Sequence, residues 1–164
     1  MPNRVGNFFV KAIVNSPFHP ILGNSIAVIT VEGWKSGRRI STPINLWVVD
    51  DGWMVLSMRK RTWWRNLRGE RPALLRLAGQ WLRVRGEIIE TREAVMSGLI
   101  EYFRKNPGLV KYFDVTLDAN GAPDQDSLER EAQKRIFIKL SAETRAQAVV
   151  RAQTLGLLRN VPAH

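Results

Sequence analysis

The sequence predicts an α+β fold, a six-stranded antiparallel β-barrel with flanking helices. Three observations carry this. Six short runs read as strands along the chain, the first of them rich in β-branched residues. Tight turns join neighbouring runs as hairpins. Stretches of helical periodicity lie outside those hairpins, the order of an antiparallel α+β domain. Closing six strands into a barrel removes the exposed edges that an open sheet would carry.

Residues 4–14 (RVGNFFVKAIV) place Val5, Phe8, Phe9 and Ile13 at helical spacing, and Asn15-Ser16-Pro17 ends that helix. SIAVITVE, residues 25–32, is the first strand, and 33–39 is a turn. Residues 40–49 (ISTPINLWVV) form the second strand, with Pro43 at an edge or bulge because proline has no N–H for the ladder. Asp50-Asp51-Gly52 then turns the chain into a third strand at 53–58. Residues 61–68 (RTWWRNLR) read as one or two helical turns with Thr62 as N-cap. A hairpin of 72–77 and 81–89 folds around Ala78-Gly79-Gln80. A helix at 92–105 is stopped by Asn106-Pro107-Gly108. A loop follows at 114–127, then a helical turn at 127–133 and a sixth strand at 135–140 (RIFIKL). Residues 141–158 read as an amphipathic helix with Ser141 as N-cap and Glu143 in its first turn.

The chain of 164 residues is expected to be a single domain, long enough to bury a core without a disulfide or metal. It has no cysteine, which excludes thiolate metal sites, iron–sulfur clusters and thiol catalysis. No signal peptide and no apolar run of membrane-spanning length is read in it, so a cytoplasmic protein is expected. The formal charge is +10, which suits an anionic partner or serves solubility. Within residues 34–71, nine lysines and arginines face three carboxylates, and the same window holds five of the six tryptophans. A partner both anionic and aromatic suits such a surface.

Two segments are candidates for chemistry. The first is Gly33-Trp34-Lys35-Ser36-Gly37-Arg38-Arg39. A glycine-bounded turn can aim backbone N–H groups at an anion, and Ser36, Lys35 and an arginine add donors and charge. The same composition also suits a solvated hairpin turn. The second runs from Ser57 through Met58, Arg59, Lys60 and Arg61 to Trp63, Trp64, Arg65 and Asn66. It passes from a strand end into a helix start, where anions and ring ligands dock. Adjacent helical positions are not expected to face the core together, so one of Trp63 and Trp64 is expected to stack on a ligand or cap a groove. The alternative is a tryptophan packed under the helix with arginines snorkelling around it.

No dinucleotide fingerprint or P-loop is present. Two histidines, His19 and His164, leave no histidine metal cluster and no Ser-His-Asp triad. The acidic positions between 114 and 126 lack the spacing of a calcium loop. With no carboxylate pair placed for acid–base work, any reactive atom is expected on a bound cofactor.

The run ITVEGWKSGRRISTPINLWVVDDGWMVLSM, followed by TWWRNLRGERPALLRLAGQWLRVRG, resembles the deazaflavin-dependent nitroreductase family, within the split β-barrel flavin and deazaflavin oxidoreductases. The likeness covers residues 18–90 and rests on Gly33, Lys35-Ser36-Gly37, Thr42-Pro43 and Trp64-x-Asn66-Leu67 in that order. It implies a split barrel binding coenzyme F420 or FMN and a hydride exchanged with a nitro compound, quinone or activated alkene. By the same resemblance Lys35, Ser36 and Gly37 meet the cofactor phosphate, and Arg39 supplies charge beside it. Thr42 and Pro43 lie along the second strand near ring or phosphate. Ser57, Met58, Arg59 and Lys60 line the groove, and Trp63, Trp64 and Asn66 stand on the short helix. The basic residues suit the anionic tail of F420 better than FMN. Trp34 and Ile40 stand where the family commonly has arginine.

Other readings remain open at this level. The same residues could serve a carrier of F420, FMN or haem without turnover. Single-stranded nucleic-acid binding also uses basic grooves and tryptophans, but leaves the ordered Lys-Ser-Gly and Thr-Pro pattern unexplained. Arg4 and Lys11 beside Phe8 and Phe9 permit peripheral membrane contact. A homodimer is expected from the resemblance.

Overall fold

The computed structural model describes residues 25–49, 51–77 and 79–143. The helix expected at 4–14 and most of the one expected at 141–158 lie outside the described residues. Six strands, β1 (Ser25–Glu32), β2 (Arg39–Val49), β3 (Gly52–Met58), β4 (Pro72–Leu77), β5 (Gln80–Ile89) and β6 (Arg135–Ala142), form a closed barrel in the order β1-β2-β3-β6-β5-β4. Every pairing is antiparallel. Helices α1 (Arg92–Lys105) and α2 (Gln125–Lys134) lie outside it, with two 3-10 helices, Trp63–Glu70 and Pro107–Tyr112.

The period of two seen in the sequence becomes inside and outside. Ile29, Leu46, Trp53, Val55, Leu75, Val84 and Ile138 fill the barrel interior. Burying each such side chain contributes about 1.5–3 kcal/mol. Trp63, Trp64 and Leu67 of the first 3-10 helix enter the same core. Gly86 makes room for this: a Cβ there would stand 2.8 Å from Leu67 Cδ1 and 3.3 Å from Ile138 Cγ2. On the other face, Trp47, Met54, Leu56 and Phe137 join a second core with Val95, Leu99, Tyr102, Phe103, Leu109 and Leu128. Asp124 caps α2 by accepting from the Ser127 N–H at 3.0 Å, while Ser127 Oγ accepts from the Thr116 N–H at 3.0 Å and holds the preceding loop.

Several expectations are corrected. Thr62 occupies the N-cap position, but its side chain makes no capping bond. Residues 107–112 form a 3-10 helix where only a stop was expected, and the turn expected at 127–133 is part of the longer α2. Ser141 is not an N-cap: it belongs to β6, opposite Arg85, and Ala142 follows opposite Val84. The ladder continues there because Glu143 is held by Arg83 at 2.9 Å and Arg85 at 2.8 Å, which favours extended chain over a helix start. Among the described residues no helix is long and apolar enough to cross a membrane.

Candidate functional site

The turn between β1 and β2 is built largely from its own backbone. Gly33 N–H donates to the Arg38 carbonyl at 2.8 Å, and Gly37 N–H to the Gly33 carbonyl at 2.7 Å. Arg38 N–H donates to Ser36 Oγ at 3.2 Å. Gly37 has φ +66°, the left-handed region that favours glycine. Trp34 N–H donates to Asn66 Oδ1 at 3.1 Å. The N–H groups of Lys35 and Ser36 have no partner among the described residues. The turn therefore offers two adjacent amides and the Lys35 ammonium. That ammonium lies 5.1 Å from the centroid of the exposed Trp34 ring.

Beside the turn, the barrel is split. β2 pairs with β1 over residues 39–46 but with β3 only over residues 46–49, so 39–45 has one strand partner rather than two. Leu56, Ser57 and Met58 of β3 pair with β6 instead. Pro43 lies in this one-sided stretch, as its missing N–H requires. Arg61 Nη2 crosses the split to donate to Thr42 Oγ1 at 3.2 Å.

Beyond the split, Met58, Arg59, Lys60, Arg65, Gln133 and Lys134 line an open groove of about 450 Å³. Arg59 is fixed at both ends: its N–H donates to the Lys134 carbonyl at 2.7 Å and its Nη2 to the Glu90 carbonyl at 2.9 Å. Arg65 lies over the Trp64 ring, 5.3 Å from its centroid. Lys134 is shared with Asp114 at 3.4 Å and Glu131 at 3.6 Å. Lys60 is exposed and has no acidic partner among the described residues. Among the described residues the lining thus holds four cations and no carboxylate.

The structure divides the residues singled out in the sequence. Lys35, Ser36, Gly37 and Asn66 come together at the turn, Thr42 and Pro43 at the split, and Met58, Arg59 and Lys60 in the groove. Arg39 is not among the residues that line the groove. It lines a separate cleft of about 220 Å³ with Glu32, Pro72 and Arg83, where β1 and β4 part. Ser57 is buried on the inward-facing row of β3 with Trp53 and Val55, and its Oγ has no hydrogen-bond partner. The expectation that Trp63 or Trp64 stacks on a ligand is corrected, since both lie in the barrel core at 5% and 2% exposure. Trp63, Trp64 and Leu67 all reach the barrel core, so this short helix is buried on more than one side rather than along a single apolar face. Arg65 and Arg68 lie over the Trp64 ring. Gln133 and Lys134 went unread because they reach the groove through the distant pairing of Met58 with Arg135. Among the described residues no cluster of three or more histidines and carboxylates could hold a metal.

No family model matches the chain, and no curated protein matches it. Its course is similar to several solved structures. One described as an F420 reductase is 12% identical, with 80% of this chain and 97% of that one covered and a TM-score of 0.45. General Stress Protein 26 from Bacillus anthracis str. Sterne is 12% identical, with 87% and 92% covered and a TM-score of 0.46. The FAD and heme binding protein from Mycobacterium smegmatis is 14% identical, with 80% and 74% covered and a TM-score of 0.45. These likenesses are of chain course alone, and the descriptions belong to those proteins.

Proposed function

We propose that this chain binds a phosphate-bearing aromatic cofactor of the deazaflavin or flavin class along the split between β2 and β3, and acts as an oxidoreductase on a small organic substrate. One observation carries the reading: the first 3-10 helix stands between two basic features and touches both. Its Arg65 lines the groove with Arg59, Lys60 and Lys134, while the next residue, Asn66, holds the turn that presents the amides of Lys35 and Ser36.

The residues present fit the anionic end of such a cofactor. Four cations without a carboxylate, and two adjacent N–H groups beside a lysine, are the donor set that phosphate and carboxylate need. This supports F420, with its acidic tail, over FMN. For the ring, the exposed indole of Trp34 beside Lys35 takes the place of the buried Trp63 and Trp64. A bound cofactor of this class supplies hydride exchange with an electron-poor nitro compound, quinone or alkene. The chain's own part is electrostatic and positional. Arg59 is set in advance by two carbonyl contacts, Arg61 spans the split through Thr42, and Lys60 supplies an exposed charge. Among the described residues the groove lining contains no carboxylic acid, histidine or tyrosine to move a proton near neutral pH. That favours, as a second reading, a cofactor-binding protein without turnover.

The test is titration with F420 and, separately, FMN, followed by tryptophan fluorescence at two salt concentrations. F420 is expected to bind more tightly, and more weakly as salt rises. Each of Lys35→Ala and Lys60→Ala should weaken it about tenfold, the loss of one charge-assisted contact worth about 1.5 kcal/mol. Binding of FMN alone moves the reading to flavin chemistry, and binding of neither overturns it. Binding without turnover of any nitro, quinone or alkene substrate selects the second reading.

A further inference from the structure

A second cavity lies on the other side of the barrel wall, beneath α1, and neither the split nor the groove uses it. Its volume is about 190 Å³, and Trp47, Met54, Ala94, Gly98, Tyr102 and Phe137 form much of its wall. We propose that it is a binding site for a small, neutral, flat molecule of one or two fused rings.

Shape argues first. Trp47 lies 5.3 Å from Tyr102 between ring centroids, and 6.4 Å from Phe137 in an edge-on arrangement. Three aromatic rings therefore meet at one apolar wall. Gly98 keeps α1 close to that wall, since a Cβ there would stand 2.6 Å from the Phe137 ring. An apolar cavity of about 150 Å³ is already enough to take up benzene, whereas drug-sized pockets start at about 300 Å³. A volume of about 190 Å³ thus sets the ligand at one or two rings.

Charge argues second. The ionic groups of the lining, Glu101 and Lys105, stand at the exposed mouth and pair with each other. Glu101 is held by Arg104 at 2.8 Å and by Lys105 at 3.3 Å, and Asn106 Nδ2 donates to the Tyr102 carbonyl at 3.0 Å. Among the described residues the inner wall of Trp47, Met54, Ala94, Gly98 and Phe137 carries no charge to attract an ion. Burial keeps the Tyr102 phenol neutral, with its pKa pushed up to about 12. A carboxylated or ammonium-bearing ring would lose its hydration here without gaining a partner.

The test uses the full chain with fluorine-labelled tryptophan and toluene and 2-naphthol as probes. The Trp47 signal is assigned by its loss in Trp47→Phe. Both probes are expected to bind saturably and to shift that signal, unchanged by a tenfold rise in salt, while benzoate binds at least tenfold more weakly than toluene. Ala94→Leu and, separately, Met54→Phe fill the cavity and should weaken both probes at least tenfold, with thermal unfolding confirming that each variant folds. Three outcomes overturn the proposal. One is no saturable binding, as when part of the chain outside the described residues fills the cavity. Another is binding that leaves the Trp47 signal in place. The third is binding unchanged in a folded cavity-filling variant. Because the probes are neutral and insensitive to salt, failure here leaves the cofactor reading standing, and failure of that reading leaves this one.

Discussion

Asn66 and Trp34, thirty-two positions apart, are joined by one hydrogen bond, with Asn66 Oδ1 accepting the Trp34 N–H at 3.1 Å. The other end of the same amide, Nδ2, donates to the Trp63 carbonyl at 3.1 Å. One side chain thus locks the β1–β2 turn to the helix that plugs the barrel. It also leaves the next two amides of the turn, those of Lys35 and Ser36, as the ones that face no protein acceptor among the described residues.

Replacing Asn66 tests whether this lock shapes the anion site. Asn66→Ala removes both hydrogen bonds and should lower the unfolding free energy by about 1–2 kcal/mol. Asn66→Asp keeps the acceptor for Trp34 but sets a negative charge beside Lys35. Denaturant titration should find Asn66→Asp the more stable of the two, while pyrophosphate binding should find it the weaker binder. The reverse order in binding would separate the turn from the anion site.

Two glycines should behave in opposite ways. A Cβ on Gly52 would stand 1.9 Å from the backbone oxygen of Leu140, on the strand beside it. That oxygen belongs to a ladder partner of β3 and cannot yield without moving β6. Gly52→Ala should therefore cost about 3 kcal/mol or more, at the upper end for overpacking. Gly79 has φ +77° and open space around it. Gly79→Ala should cost about 1–2 kcal/mol, the penalty of a left-handed residue alone. Equilibrium unfolding of both variants measures the difference.

Glu131 is buried, 2.7 Å from Arg135 Nε, and the Arg135 guanidinium lies 4.6 Å from the Phe113 ring centroid. Glu131→Ala would leave a largely buried cation without its partner, at a cost of about 3–5 kcal/mol. Replacing both members, Glu131→Leu with Arg135→Met, removes the charges together and should recover most of that loss. The wild-type chain, Glu131→Leu, Arg135→Met and the double variant form the cycle that measures the coupling directly.

The barrel was legible because its strands carry the period of two openly. RIFIKL alternates, and its Ile136, Ile138 and Leu140 are the side chains that enter the core. Pro43 marked a one-sided stretch of β2 by chemistry alone. Trp63 and Trp64 are hard to place from sequence because a short helix can enter a barrel core on more than one side, which local spacing does not reveal. Ser141 misled because its capping chemistry competed with a ladder partner 56 positions upstream, Arg85. The site was half legible for the same reason. Lys35, Ser36, Arg59 and Lys60 announce themselves by type and spacing. Long-range pairing sends Arg39 to a different cleft and delivers Lys134 to the groove.

Tyr102 gives the fold a dependence on alkaline pH. Burial in the second core pushes its phenol from 10.0 up to about 12, and the positive charge of Arg135 opposes this to a lesser degree. The folded value lies above the unfolded one. The unfolded chain therefore ionises first, and the stability tied to the neutral phenol is complete below pH 10.0 and lost as pH rises through about 12. Lysines titrate over the same range, so the comparison must be with Tyr102→Phe, which keeps the ring and removes the ionisation. Urea midpoints followed from pH 9 upward, a range taken from the ordinary tyrosine value of about 10, should fall more steeply for the wild-type chain than for Tyr102→Phe. Parallel curves would mean that the phenol reaches solvent in the folded protein.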